Sequence, residues 1–216
     1  MNQRPLVRIV IADDHPITRA GLSAVIANRK DMCIVGEATN GCEAIHLCQQ
    51  HRPDVILMDM SMPDGGGLQA IRDIRAEFSA ARIVVFSIDD GDETIYQAMK
   101  AGARGYLLKD APATVLLETI MAVADGQTVL PGEVAAKLAG RLHQRDLTKR
   151  EQEILEHIVA GRSNSEIGST LFISEGTVKS HVNSLLEKLH VTDRTQAAVA
   201  ALQRGLVRNS SRNFAD

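Results

Sequence analysis

Asp13, Asp14, Asp59, Ser87 and Lys109 are scattered over the first half of the chain, yet each stands where an apolar, strand-like run ends. Leu6–Ala12 runs into Asp13-Asp14, Asp54–Met58 into Asp59, Arg82–Phe86 into Ser87, and Gly105–Leu108 into Lys109. In an open parallel sheet the loops at the carboxyl ends of the strands gather into one crevice, and ligands bind there. Three carboxylates, a hydroxyl and an ammonium collected in that crevice suit Mg²⁺ and a phosphoryl group. Mg²⁺ favours carboxylate and phosphate oxygens, and a compact ammonium serves phosphoryl oxygens where transfer depends on positioning and electrostatics.

Those strand ends need a framework. Short β-branched runs (Val7–Ile11, Cys33–Val35, Val55–Leu57, Ile83–Phe86, Gly105–Leu108) alternate with amphipathic segments at Pro16–Asn28, Gly41–Gln50, Leu68–Phe78, Thr94–Ala101 and Ala113–Ala124. Strands alternating with helices imply a five-stranded parallel sheet covered on both faces. In the first helix the spacing assigns Ile17, Ala20-Gly21, Ala24-Val25 and Asn28 to the apolar side, with Pro16 in the first turn.

Residues 126–146 change character, with Gly126, Pro131, Gly132 and Gly140 around a short helical stretch, Glu133–Leu142. We read them as a linker between a domain at 1–125 and a second at 147–208, with a polar tail at 209–216. The second domain reads as all helix. Thr148 with Glu151, and Ser163 with Glu166, fit capping boxes, and Ser174 fits an N-cap for a helix whose Val178, Val182, Leu185 and Leu189 turn inward. A fourth helix opens at Thr192, with Ala197, Ala200, Ala201 and Leu202 inward. A short helix, a three-residue break at Phe172–Ser174 and a longer helix make a helix-turn-helix.

Charge decides little. Residues 1–146 carry 15 Lys and Arg against 19 Asp and Glu, and residues 147–216 carry 9 against 8. Nucleic-acid binding must therefore rest on the motif rather than on net charge. Three cysteines without C-x-x-C spacing read as reduced, mostly buried thiols of a cytoplasmic protein. No apolar run reaches the roughly 18 residues of a membrane span, and the N-terminus has no secretory signal pattern.

Asp13-Asp14, the run Leu57-Met58-Asp59-Met60-Ser61-Met62-Pro63 with Gly67, then Ser87, then Tyr106-Leu107-Leu108-Lys109 resemble the signature of a response-regulator receiver domain. Leu147–Glu151, Gly161–Asn164, Glu166-Ile167, Ile173–Val182, Lys188-Leu189 and Arg194-Thr195 resemble the LuxR-type helix-turn-helix of the NarL/FixJ class. The first resemblance implies a flavodoxin-like α/β fold in which Asp59 is the phosphoacceptor. It also implies Mg²⁺ held by Asp13, Asp14, Asp59 and the Ser61 backbone carbonyl. Ser87, Tyr106 and Lys109 would form the phosphate-binding switch, with Tyr106 turning inward as Ser87 moves toward the phosphoryl group. An aspartyl-phosphate phosphatase typically needs an acid at the position of Ser61, so the resemblance implies a regulator rather than an enzyme.

The second resemblance, and the face opposite Val178 and Val182, imply base contacts from Lys179, Ser180 and Asn183. Thr177, Lys188 and Arg194 would contact phosphates. Gly168 stands where the family commonly has Ala, at a cost of about 1 kcal/mol in helix propensity and with no consequence for function. The implied partners are a sensor histidine kinase, promoter DNA and a second copy of the phosphorylated chain, with RNA polymerase compatible as a further one.

Overall fold

The computed structural model describes residues 6–63, 66–142 and 146–207. They form two compact units. In the first, β1 (Val7–Ala12), β2 (Met32–Ala38), β3 (Val55–Met58), β4 (Ile83–Ser87) and β5 (Gly105–Leu108) pair in parallel in the order β2-β1-β3-β4-β5. The intervening helices are α1 (Pro16–Ala27), α2 (Gly41–His51), α3 (Gly66–Glu77), α4 (Asp92–Ala101) and α5 (Ala113–Ala124). The four residues of β3 and all five of β4 are buried, which explains their unbroken apolar runs.

The strand order reverses between β1 and β3, so a crevice opens beyond their carboxyl ends. Sheet hydrogen bonding carries the chain into that crevice. The Asp13 N–H donates to the Ala38 carbonyl (3.0 Å), Asp59 N–H to that of Ala12 (2.8 Å), and Lys109 N–H to that of Ser87 (2.9 Å). Three of the expected site residues therefore have their backbones fixed by the sheet itself.

Helix α1 overturns the face expected for it. Ile17 is 87% exposed, and Ala20, Gly21, Ala24 and Asn28 also face solvent, while Leu22 and Ile26 are buried against β1 and β5 neighbours such as Ile9 and Leu107. Small residues all round this helix gave the spacing two solutions, and burial of the larger aliphatics selected the other. The thiols differ too: Cys42 is exposed, Cys33 half-buried and Cys48 buried. Burial pushes the Cys48 thiol up to about 12.

The expected linker contains α6 (Gly132–Leu142), and residues 143–145 lie outside the described residues, as does the tail at 209–216. The second unit contains α7 (Lys149–Val159), α8 (Asn164–Leu171), α9 (Glu175–Leu189) and α10 (Arg194–Gln203). Both capping boxes form, at Thr148 with Glu151 and at Ser163 with Glu166. Ile154, Ile158, Ile167, Val178 and Val182 make one apolar cluster, and Leu155, Leu185, Leu189, Ala197 and Ala201 another. Two expectations fail at α10: Asp193 rather than Thr192 caps it, accepting from the Gln196 N–H, and Leu202 is 42% exposed.

Phe172 ends α8 in the left-handed region (φ +57°) with its side chain 94% exposed. A bulky residue there bears about 1–2 kcal/mol of strain, and no packing offsets it. Phe172→Gly is expected to stabilise the second unit by about 0.5–1 kcal/mol after glycine's extra chain entropy is subtracted. Urea unfolding followed by circular dichroism measures it, and a destabilised variant contradicts the assignment.

Candidate functional site

Asp59 is wholly buried and Asp13 nearly so. The Lys109 Nζ lies between them, 2.8 Å from Asp13 Oδ2 and 2.9 Å from Asp59 Oδ2. Burial pushes the Asp59 carboxyl above its usual range, and the Lys109 ammonium and the Ser61 N–H (3.2 Å from Oδ1) work against that shift. The lysine experiences the reverse balance. Burial disfavours its charge, but its bonds to Asp13 and Asp59 outweigh burial and raise it. Lys109 is thus a fixed cation between two buried carboxylates, in the crevice where its position after β5 placed it.

Asp14 is half-buried beside this pair, and its Oδ1 lies 2.8 Å from His15 Nδ1. One donor atom from each of Asp13, Asp14, His15 and Asp59 falls within 4.8 Å of the others. Three carboxylates converging on one small volume are the donor set a hard divalent cation takes, so the residues fit Mg²⁺. His15 was missed by the sequence reading. Its adjacency to Asp14 was visible, but nothing in the sequence showed that the ring turns back to the carboxylates.

Ser87 and Tyr106 are in place but in one particular state. The Ser87 Oγ is turned to its own loop, accepting from the Asp89 N–H at 3.1 Å. Tyr106 is already fully buried, and its hydroxyl donates to the Asp89 carbonyl at 2.5 Å. The inward turn expected to accompany movement of Ser87 is therefore present with Ser87 still bound to the loop. Burial, then the negative charge of Asp89, raise the Tyr106 phenol, so it stays a donor.

In the second unit, Thr177, Lys179, Ser180 and Asn183 are exposed together on α9. Among the described residues Lys179 pairs with Glu175 across one helical turn, 2.9 Å apart and largely in solvent, an arrangement easily given up. Lys188 and Arg194 do not join that surface as free cations. The Lys188 Nζ lies 2.6 Å from Glu151 Oε2, a buried carboxylate. The Arg194 guanidinium binds Asn164 Oδ1 at 3.2 Å and the Arg162 carbonyl. Lys188 ties α9 to α7, and Arg194 ties α10 to the start of α8, through partners too distant in sequence to be anticipated. Gly168 is also more than a weak helix former: a Cβ there would lie 2.8 Å from the Ile173 carbonyl. The missing methyl lets the turn close onto α8, so alanine would not simply recover helix propensity.

Comparison with known proteins agrees with this geometry. Residues 9–121 match the response regulator receiver domain, and residues 145–201 match the bacterial regulatory proteins of the luxR family. The chain is 40% identical over 210 residues to the transcriptional regulatory protein LiaR of Bacillus subtilis (strain 168), covering 94% of this chain and 100% of that one. Among solved structures it resembles the response regulator ChrA of a heme-sensing two-component system, with 35% identity, a TM-score of 0.56, and coverage of 94% of this chain and 100% of that one. It also resembles the two-component response regulator RcsB in complex with DNA, with 25% identity, a TM-score of 0.69, and coverage of 90% and 97%. A receiver whose acidic crevice holds a fixed lysine, followed by a LuxR-type helix-turn-helix, makes this chain a member of the two-component response regulators that control transcription.

Proposed function

We propose that Asp59 accepts a phosphoryl group from the phosphohistidine of a sensor kinase, and that the modification controls dimerisation and promoter binding. The observation that carries this reading is Lys109, held within 2.9 Å of both Asp13 and Asp59 at the switch point of the sheet. In the transfer, an Asp59 carboxylate oxygen bonds to phosphorus as the phosphorus–nitrogen bond to the histidine breaks, and the imidazole leaves with the electron pair. Asp59 must be ionised to attack, and Lys109 counters the burial that opposes ionisation. Asp13, Asp14, Asp59 and the Ser61 carbonyl would hold Mg²⁺, which would supply charge to offset the crowded carboxylates and incoming phosphoryl oxygens.

Lys109→Ala is expected to lower the rate of phosphoryl incorporation from acetyl phosphate at least about 100-fold, the scale of losing one oriented charge. Quench-flow mass spectrometry reads it, and an unchanged rate would remove Lys109 from the chemistry.

For DNA we assign base reading to Lys179, Ser180 and Asn183 and a phosphate contact to Thr177, all on the exposed face of α9. Lys188 and Arg194 are assigned to positioning that face, since both are engaged within the domain. In selection from a random duplex pool, Asn183→Ala is expected to relax preference at one position of the recovered sites, a loss of about 1–3 kcal/mol of discrimination. Recovery of an unaltered consensus would exclude Asn183 from base reading. The near-neutral charge of residues 147–216 implies weak binding by one copy, and two copies on paired half-sites double the contacts.

A further inference from the structure

The residue opening α1 is out of character for its place. Helix N-caps favour Ser, Thr, Asp or Asn, whose side chains bind the exposed N–H groups. His15 holds that position and makes no capping hydrogen bond. Pro16 restricts it to extended backbone, observed at φ −86° and ψ 112°, and its N–H donates to Asp13 Oδ1 at 2.8 Å. That turn brings the imidazole back over the crevice, with Nδ1 at 2.8 Å from Asp14 Oδ1 and 3.5 Å from Asp13 Oδ1. Neighbouring donors on an octahedral ion with bonds of about 2.1 Å are about 3.0 Å apart, and opposite ones about 4.2 Å. The 2.8 and 3.5 Å from His15 Nδ1 to the two carboxylates have that scale, and one donor atom from each of Asp13, Asp14, His15 and Asp59 lies within 4.8 Å of the others.

We propose that His15 is a nitrogen ligand of the divalent cation held by this receiver, and that it gives the site a preference for a transition ion such as Mn²⁺ over Mg²⁺. The inference rests on the reading that Asp13, Asp14 and Asp59 hold a divalent cation. Mg²⁺ takes oxygen ligands almost exclusively, whereas imidazole suits first-row transition ions. An all-carboxylate crevice is nearly indifferent to a nearby ring, but a site with one nitrogen donor is not. His15 is 62% exposed at its side chain, so its replacement leaves no cavity and leaves the Lys109 bridge intact.

The test is titration of the full-length protein with Mg²⁺ and with Mn²⁺ by calorimetry at pH 8, for the wild type, His15→Ala and Asp14→Ala. Electron spin-echo envelope modulation of the Mn²⁺ complexes accompanies it. The wild type is expected to prefer Mn²⁺ by about tenfold more than His15→Ala does, no less than the typical effect of losing an outer-shell partner of a ligand, with Mg²⁺ affinity little changed. Nitrogen modulation should be present in wild type and absent in His15→Ala. Binding of both ions that Asp14→Ala weakens, but with an unaltered Mn²⁺ preference and no nitrogen modulation in wild type, overturns the role of His15 alone. Failure of either ion to bind the wild type, or binding indifferent to Asp14→Ala, overturns the metal reading itself.

Discussion

Gly67→Ala is expected to destabilise the receiver by about 3 kcal/mol or more and to abolish phosphoryl incorporation with it. Gly67 lies in the first turn of α3, and a Cβ there would overlap the Asp59 carbonyl oxygen and stand 2.8 Å from Met60 Cα and 2.9 Å from the Asp59 carbonyl carbon. All three are backbone atoms, so no side-chain rotation relieves the overlap. The start of α3 must retreat or the loop after β3 must move, and that loop carries Asp59, the proposed phosphoacceptor. Overpacking in a core typically costs about 1–3 kcal/mol, and an overlap this deep with fixed backbone belongs at or beyond that limit. Denaturant unfolding of the full chain with hydrogen exchange at β3 measures the loss. Stability within about 0.5 kcal/mol of wild type would show that Asp59 and α3 are not packed this closely.

Glu151→Ala is expected to cost the second unit about 3–5 kcal/mol, the scale of breaking a buried ion pair. Glu151 is 3% exposed and serves four groups: its carboxylate accepts from the Thr148 N–H and hydroxyl, from Ser184 Oγ at 2.7 Å and from Lys188 Nζ at 2.6 Å. Burial alone would raise this carboxyl, but Lys188, then Ser184 and Thr148, overcome it and hold it at about 2, against an ordinary 4.5. A carboxyl depressed on folding contributes stability that is whole above pH 4.5 and lost as pH falls from 4.5 toward 2. The shift corresponds to about 3 kcal/mol. Wild type should therefore lose stability in α7–α10 across that window, and Glu151→Gln should show a flatter profile, both read by hydrogen exchange at α9. A parallel pH profile in the two proteins would contradict the network.

Asp13, Asp59 and Lys109 were legible because a parallel sheet fixes where its strands end, and each residue's backbone bond extends a ladder. Val178, Val182, Leu185 and Leu189 were legible because a long helix with large aliphatics at i, i+4, i+7 and i+11 admits one inward face. In α1 small residues surround the axis, and only contact with the sheet decides which side packs. The pairing of Lys188 with Glu151 was not legible, because Glu151 sits 37 positions away and its own capping box already accounts for it. His15 escaped notice because turning a ring toward carboxylates is a property of one backbone turn, not of composition.

The most direct test of the central claim is intact-mass spectrometry of wild type and Asp59→Ala after incubation with Mg²⁺ and acetyl phosphate, with light scattering on the same samples. One phosphoryl group on wild type and none on the variant, with a shift toward dimer in the wild type alone, is the predicted result. Equal incorporation in both proteins, or none in either, would contradict Asp59 as the residue through which this regulator is switched.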